Sequence, residues 1–148
     1  MSDKKTFNLK NSYAKELHEI SEKCIPTGFR QAEFLLKNYD LAEKLGFTKN
    51  FLDSKECLKI FSGNSLLKNS QPIAQGYSGH QFGHFNPQLG DGRAILLGEI
   101  DEMDIQLKGI GQTPYSRRGD GKSALSPVLR EYVISEFMHA VKIPTTRS

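Results

Sequence analysis

A chain of 148 residues, 37% hydrophobic and 25% charged, has the size and balance of one ordinary globular domain. No apolar run approaches the ~20 residues needed to cross a bilayer, so a spanning helix is excluded and no membrane partner is expected. The net charge of +3 is mild and is concentrated in one central segment.

Met1-Ser2-Asp3-Lys4-Lys5 has no apolar stretch behind its charges and no arginine. That argues against a secretory or mitochondrial leader and makes the cytoplasm the expected compartment. Residues 1–72 read as a helical and irregular segment. Helical spacing over Ser12–Lys23 puts Leu17, Ile20 and Cys24 on one side. Ala32–Leu45 predicts a second helix, interrupted at Asn38-Tyr39-Asp40, with Gly46 as its C-cap. Asp53 or Ser54 is placed to cap a short helix through Phe61, ended by Ser62-Gly63-Asn64. Cys24 and Cys57 show no metal-ligand or CxxC spacing and read as reduced thiols in or near a core.

From Ile73 the texture changes to strands and turns, and 73–148 reads as a second unit. His80 and His84 have i, i+4 spacing, but Gly79 and Gly83 argue against a helix, so packing histidines are expected rather than metal ligands. Gln81, Phe82, Phe85 and Pro87 around them predict a packed irregular segment. Gly90-Asp91-Gly92-Arg93 is a glycine turn between strands. It lacks the Gly-Lys-Ser/Thr of a Walker A loop, and Arg93 adds a planar donor fork suited to phosphate. Ala94–Ile100 is an apolar strand, Asp101-Glu102 a polar turn, and Met103–Lys108 an alternating strand. In that strand Ile105 and Leu107 share one face while Lys108 shares the other with Gln106 and Asp104.

Gly109–Tyr115 cannot be regular structure, and Gly119-Asp120-Gly121-Lys122 is a second glycine-bearing loop. There Asp120 and Gly121 offer a carboxylate and an amide to a ribose or base. Ser126-Pro127 predicts the N-cap and first residue of a helix running to about Val141, stopped by Pro144. The helix carries Glu131 and Glu136, five residues apart, so both cannot meet Lys108; periodicity does not choose between them.

Each feature alone has an ordinary explanation: a hairpin turn, a solvated lysine, a solvated glutamate. Their order is informative. A glycine turn, a lysine on a following strand and a carboxylate on a following helix are the parts of a nucleotide-phosphate clamp, in the order used by a protein-kinase small lobe. Between Gln106 and Arg130 five bases (Lys108, Arg117, Arg118, Lys122, Arg130) face one acid, Asp120, which suggests an anionic ligand.

Several longer stretches resemble the SelO (selenoprotein O, YdiU) family. They are Phe61–Asn64, Ser78–Gly83, Pro87–Glu99, Gln106–Gly109, Thr113–Gly121 and Ile143–Arg147. The resemblance implies a kinase-like fold that transfers AMP from ATP, with Mg²⁺, to Ser, Thr or Tyr hydroxyls of protein substrates. Carried over by position, it implies nucleotide binding by Gly90, Gly92, Arg93, Lys108, Asp120 and Gly121, with Glu131 as the ion-pair partner of Lys108 and Glu136 as the fallback. It also implies that the catalytic base, the metal ligands, two further arginines and the large lobe lie beyond Ser148, so that 1–148 by itself has no catalytic residue. The expected fold class is therefore α+β, a kinase-like small lobe (antiparallel sheet plus αC-type helix) preceded by N-terminal helices. The alternative is a non-catalytic nucleotide- or nucleic-acid-binding module, or an inactive truncated product, although a nucleic-acid partner is not the expectation.

Overall fold

The computed structural model describes residues 9–148; the N-terminal sequence considered for a leader lies outside them. Short helices come first: α1 (Ser12–Glu16), a 3-10 turn (His18–Ile20), α2 (Tyr39–Lys44), α3 (Lys49–Leu52) and α4 (Lys55–Phe61). Strand β1 (Ser21–Lys23) lies between the 3-10 turn and α2. Then follow β2 (Ile73–Gln75), β3 (Gly79–Gln81), β4 (His84–Asn86), β5 (Ala94–Ile100), β6 (Met103–Lys108) and the long helix α5 (Leu125–Ala140). Strands β1-β2-β5-β6 form one antiparallel sheet, and β3-β4 a separate hairpin. The architecture is α+β.

Local chemistry sets the helix ends. Ser54, rather than Asp53, accepts from the Cys57 N–H and caps α4, and Thr48 does the same for α3. Gly46 (φ 78°) and Gly63 (φ 73°) take the left-handed position after α2 and α4, with their own and the next N–H bonded back to the last turn. The helix expected over Ala32–Leu45 is shortened to α2. The Asn38 side chain accepts from Leu41 N–H, so the helix nucleates there and the preceding apolar residues stay irregular. The helix expected over Ser12–Lys23 also breaks up. Its last residues become the edge strand β1, because Ser21, Glu22 and Lys23 pair with Gln75, Ala74 and Ile73, a partnership local spacing does not encode.

Residues 9–72 and 73–148 share one core. Ala42, Phe47, Leu52, Cys57 and Ile60 of the helical part meet Ile95, Leu97, Ile105 and Leu107 of the sheet. Both cysteines are buried and reduced, and burial pushes the Cys57 thiol to about 11, which leaves it inert at neutral pH. Strand β5 is buried along its whole length, while β6 alternates with Ile105 and Leu107 inward. Lys108 therefore stands on the face opposite the core. Among the described residues no helix is long and apolar enough to cross a membrane.

Residues 79–86 overturn the expectation of a packed irregular segment. They form a two-residue hairpin with Phe82 (φ 55°) and Gly83 (φ 79°) at the turn, and Phe82 is 88% exposed. The histidines sit on its two strands, and among the described residues no group of three potential ligands could hold a metal. A bulky residue at positive φ is strained, and Asn-Gly is the preferred pair for such a turn. Phe82→Asn is therefore expected to raise stability by about 1 kcal/mol or less in urea denaturation, despite removing an aromatic ring.

Candidate functional site

The glycine turn closes the long connection 76–93 between β2 and β5, and its central residue organises it. Asp91 is buried. Its carboxylate accepts from Gln75 N–H (3.1 Å), the Tyr77 hydroxyl (3.1 Å) and Gln106 Nε2 (3.3 Å). Burial raises the Asp91 pKa, against the pull of the Gln75 amide, the Tyr77 hydroxyl and the Lys108 charge. Sequence reading missed this carboxylate, because an Asp between two glycines also suits an ordinary turn. The N–H groups of Gly90, Asp91 and Gly92 donate to Tyr77, Gln75 and Gly90 carbonyls respectively, so the turn is braced from within.

The irregular loop after β6 docks on that turn. Thr113 Oγ1 donates to the Asp91 carbonyl and Ser116 Oγ to the Gly92 carbonyl, both at 2.5 Å. The Tyr115 ring lies where a Cβ on Gly90 (φ 62°) would stand, so only glycine fits there. The second glycine loop is tied to the same unit, since Gly111 N–H donates to Gly121 O (3.2 Å). A Cβ at Gly121 (φ 68°) would run into the Gly111 backbone. Asp120 turns onto its own loop, accepting from Lys122 N–H (2.9 Å), and Arg117 Nη2 reaches Gln81 of the hairpin (3.2 Å).

Lys108 leaves the end of β6 and meets α5. Its Nζ lies 2.9 and 2.7 Å from Glu131 Oε1 and Oε2. The pair is open to solvent, 45% and 52% exposed, so it contributes little to folding, and the lysine remains accessible. Glu136 faces elsewhere and accepts both Arg147 Nε (2.7 Å) and Nη2 (2.8 Å). Helix α5 begins at Leu125 after Ala124, which places the expected cap residues Ser126 and Pro127 inside its first turn. It ends at Ala140 with Lys142 (φ 64°) in the left-handed position, so the backbone turns before Pro144 is reached.

The fold thus joins Gly90, Asp91, Gly92, Gln106 and Thr113–Ser116 in one braced unit, with Lys108 and Glu131 on the sheet face that carries Gln106. Arg93 is exposed beside this unit, its carbonyl accepting from Gly109 N–H (2.7 Å). Lys108 and Arg93 are two exposed cations on the strand ends that this hydrogen bond joins. Among the described residues no group of three or more His, Cys, Asp or Glu side chains could hold a metal ion.

Glu136 makes stability depend on pH. The Arg147 guanidinium holds its carboxyl below the ordinary glutamate range. As pH falls, the unfolded chain takes up this proton first. The contribution is complete above the ordinary range and is lost as pH falls through the lowered value. Melting temperature between about pH 6 and about pH 3 should fall less steeply in Arg147→Ala than in the parent.

Residues 4–148 match the family described as "Protein adenylyltransferase SelO". "Protein nucleotidyltransferase YdiU" of Anoxybacillus flavithermus is 50% identical over 147 residues, covering 96% of this chain and 30% of that protein. The proteins of that name from Bacillus cereus (strain ATCC 10987) and Clostridium botulinum (strain Eklund 17B) are 52% and 50% identical. They too are covered over 30% of their length, with 96% and 95% of this chain aligned. The chain spans about a third of these curated relatives.

Proposed function

The chain belongs to the SelO family, and from that premise we propose that residues 73–148 supply the nucleotide-gripping part of a protein adenylyltransferase. In this reading β2, β5 and β6 correspond to the first three strands of a kinase-like small lobe, and α5 to its αC-type helix. The connection 76–93 corresponds to the loop over the phosphates. Lys108 and Arg93 neutralise phosphate oxygens of ATP, Gly90 and Gly92 keep the turn close, and Asp120 and Gly121 meet the nucleoside end. AMP passes to Ser, Thr or Tyr hydroxyls of proteins, with Mg²⁺ and the catalytic base contributed by the part of the longer relatives that this chain does not span.

The observation that carries the reading is the two-point contact of Lys108 Nζ with Glu131, made from strand to helix beside the braced glycine turn. A carboxylate gripping a solvent-open lysine at this place fixes where its charge stands, which suits an anion that must be oriented.

The rival reading is a nucleic-acid binder using Lys108, Arg117, Arg118 and Lys122. Calorimetric titration with Mg-ATP, and separately with single-stranded RNA over a range of salt, separates the two. Saturable ATP binding that RNA does not displace is expected. RNA binding with a steep salt dependence, and no response to ATP, contradicts the proposal.

A further inference from the structure

Helix α5 carries Glu131 and turns only a narrow stripe inward, on which Leu129, Tyr132 and Met138 are half-buried. Val133, Ile134 and Phe137 are each more than half exposed, and the only fully buried residue of the helix is Ser135. No described strand or helix runs its backbone closely alongside that of α5. Charged contacts hold it on two sides. On one side stands the exposed Lys108–Glu131 pair. On the other, five residues along the helix and far round its circumference, stands Glu136.

The Glu136 contact is much the better shielded of the two. Arg147 grips both carboxylate oxygens, and the side chains are only 15% and 27% exposed. Arg147 belongs to the strap 142–148 that doubles back along α5. The strap is anchored in turn where Asn38 Nδ2 donates to Ser148 O (2.8 Å). Asn38 also caps α2 through Leu41 N–H (3.1 Å), and its side chain contributes to lowering the Glu136 pKa, after the larger effect of Arg147. A continuous set of polar contacts therefore runs from α2 through Asn38, the strap, Arg147 and Glu136 to the helix that presents Glu131.

We propose that the Glu136–Arg147 clamp is a positioning device for the site. By fastening α5 to the strap and to the N-terminus of α2, it sets the helix orientation that lets Glu131 reach Lys108. Arg147, Glu136 and Asn38 are positioning residues, with no part in contacting the nucleotide. The two-point arginine fork suits this role, since it fixes direction as well as distance and a lysine would fix only distance. That the Lys108–Glu131 pair serves a nucleotide rests on the function proposed above. That the clamp sets the pair does not.

Carbodiimide converts a touching lysine and carboxylate into an amide with loss of water, the reagent taking up that water as its urea. The Lys108–Glu131 contact can therefore be read directly by peptide mass spectrometry in the full chain, without nucleotide. The Lys37–Asp53 pair (2.7 Å) serves as an internal reference for the rest of the fold. In Arg147→Ala and in Glu136→Gln the Lys108–Glu131 cross-link should fall roughly five-fold, corresponding to about 1 kcal/mol, while the Lys37–Asp53 cross-link is kept. An unchanged Lys108–Glu131 yield in both variants overturns the proposal. So does a loss of both cross-links together, which would mark the clamp as a general stabiliser. Loss of ATP binding in the parent protein would instead count against the functional reading and leave the cross-link result standing.

Discussion

Lys108→Ala is expected to weaken ATP binding by about 10- to 100-fold, the worth of one charge-assisted phosphate contact at ~1.5–3 kcal/mol. AMP transfer by the full-length protein should fall further, by about two to three orders of magnitude, because an oriented charge acts most strongly where charge develops in the transition state. Folding should hardly change. The lysine and Glu131 are both about half exposed, so the pair is worth a few tenths of a kcal/mol at most once solvent screening is counted. Calorimetric ATP affinity and a thermal melt on the same sample separate the two effects. Wild-type affinity in Lys108→Ala would remove that residue from the site, and a collapsed melt would show that its role is structural.

Asp91→Ala should have the largest effect on stability, about 2–4 kcal/mol in urea denaturation. Three donors, Gln75 N–H, the Tyr77 hydroxyl and Gln106 Nε2, lose one shared buried acceptor, and water does not readily replace it inside the turn. Burial raises the Asp91 pKa, so folding favours the protonated carboxyl. Above the ordinary aspartate range the ionised form therefore costs the folded state stability, and what the carboxylate contributes is geometry. Asp91→Asn retains one acceptor oxygen, and its amide can donate to Tyr77 in place of the bond it received. It should cost less than half as much as alanine. ATP affinity should follow the same order, since the turn, the docked Thr113–Ser116 loop and Gln106 beside Lys108 all depend on Asp91. A cost within 0.5 kcal/mol for alanine, the range of ordinary surface changes, would show that the turn holds without it.

Much of the sheet was legible because its signals are local. Alternation gave Met103–Lys108 and its two faces, and an apolar run bounded by glycine and a polar turn gave Ala94–Ile100. Ser54, Gly46 and Gly63 marked helix ends through side-chain or left-handed backbone chemistry that belongs to one or two residues. What escaped depends on partners far away in sequence. Ser21-Glu22-Lys23 has no strand character of its own and is a strand only because β2 lies beside it. Ala32–Leu45 has helical spacing on both sides of the break at Asn38-Tyr39-Asp40, yet the Asn38 cap decides where the helix starts.

The candidate site shows the same division. Periodicity could not choose between Glu131 and Glu136; the family motif favoured Glu131, and the structure places it on Lys108 and Glu136 on Arg147. Arg147 lay within the family-like stretch Ile143–Arg147, but nothing in it pointed to Glu136 as a partner, because the strap that brings it back to α5 is a tertiary feature. Asp91 was hidden by its setting, since Gly-Asp-Gly suits an exposed turn equally well. Its burial comes from the loop 113–116 closing over it.

Whether the proposed ATP grip serves transfer of AMP and not of phosphate can be read with two radiolabelled substrates. Full-length protein is incubated with a protein acceptor and Mg-ATP labelled at the α-phosphorus or, in parallel, at the γ-phosphorus. Covalent label from the α-phosphorus alone, lost in Lys108→Ala, is the predicted result. Label retained from the γ-phosphorus, or α-label that persists at the parent rate without Lys108, would contradict it.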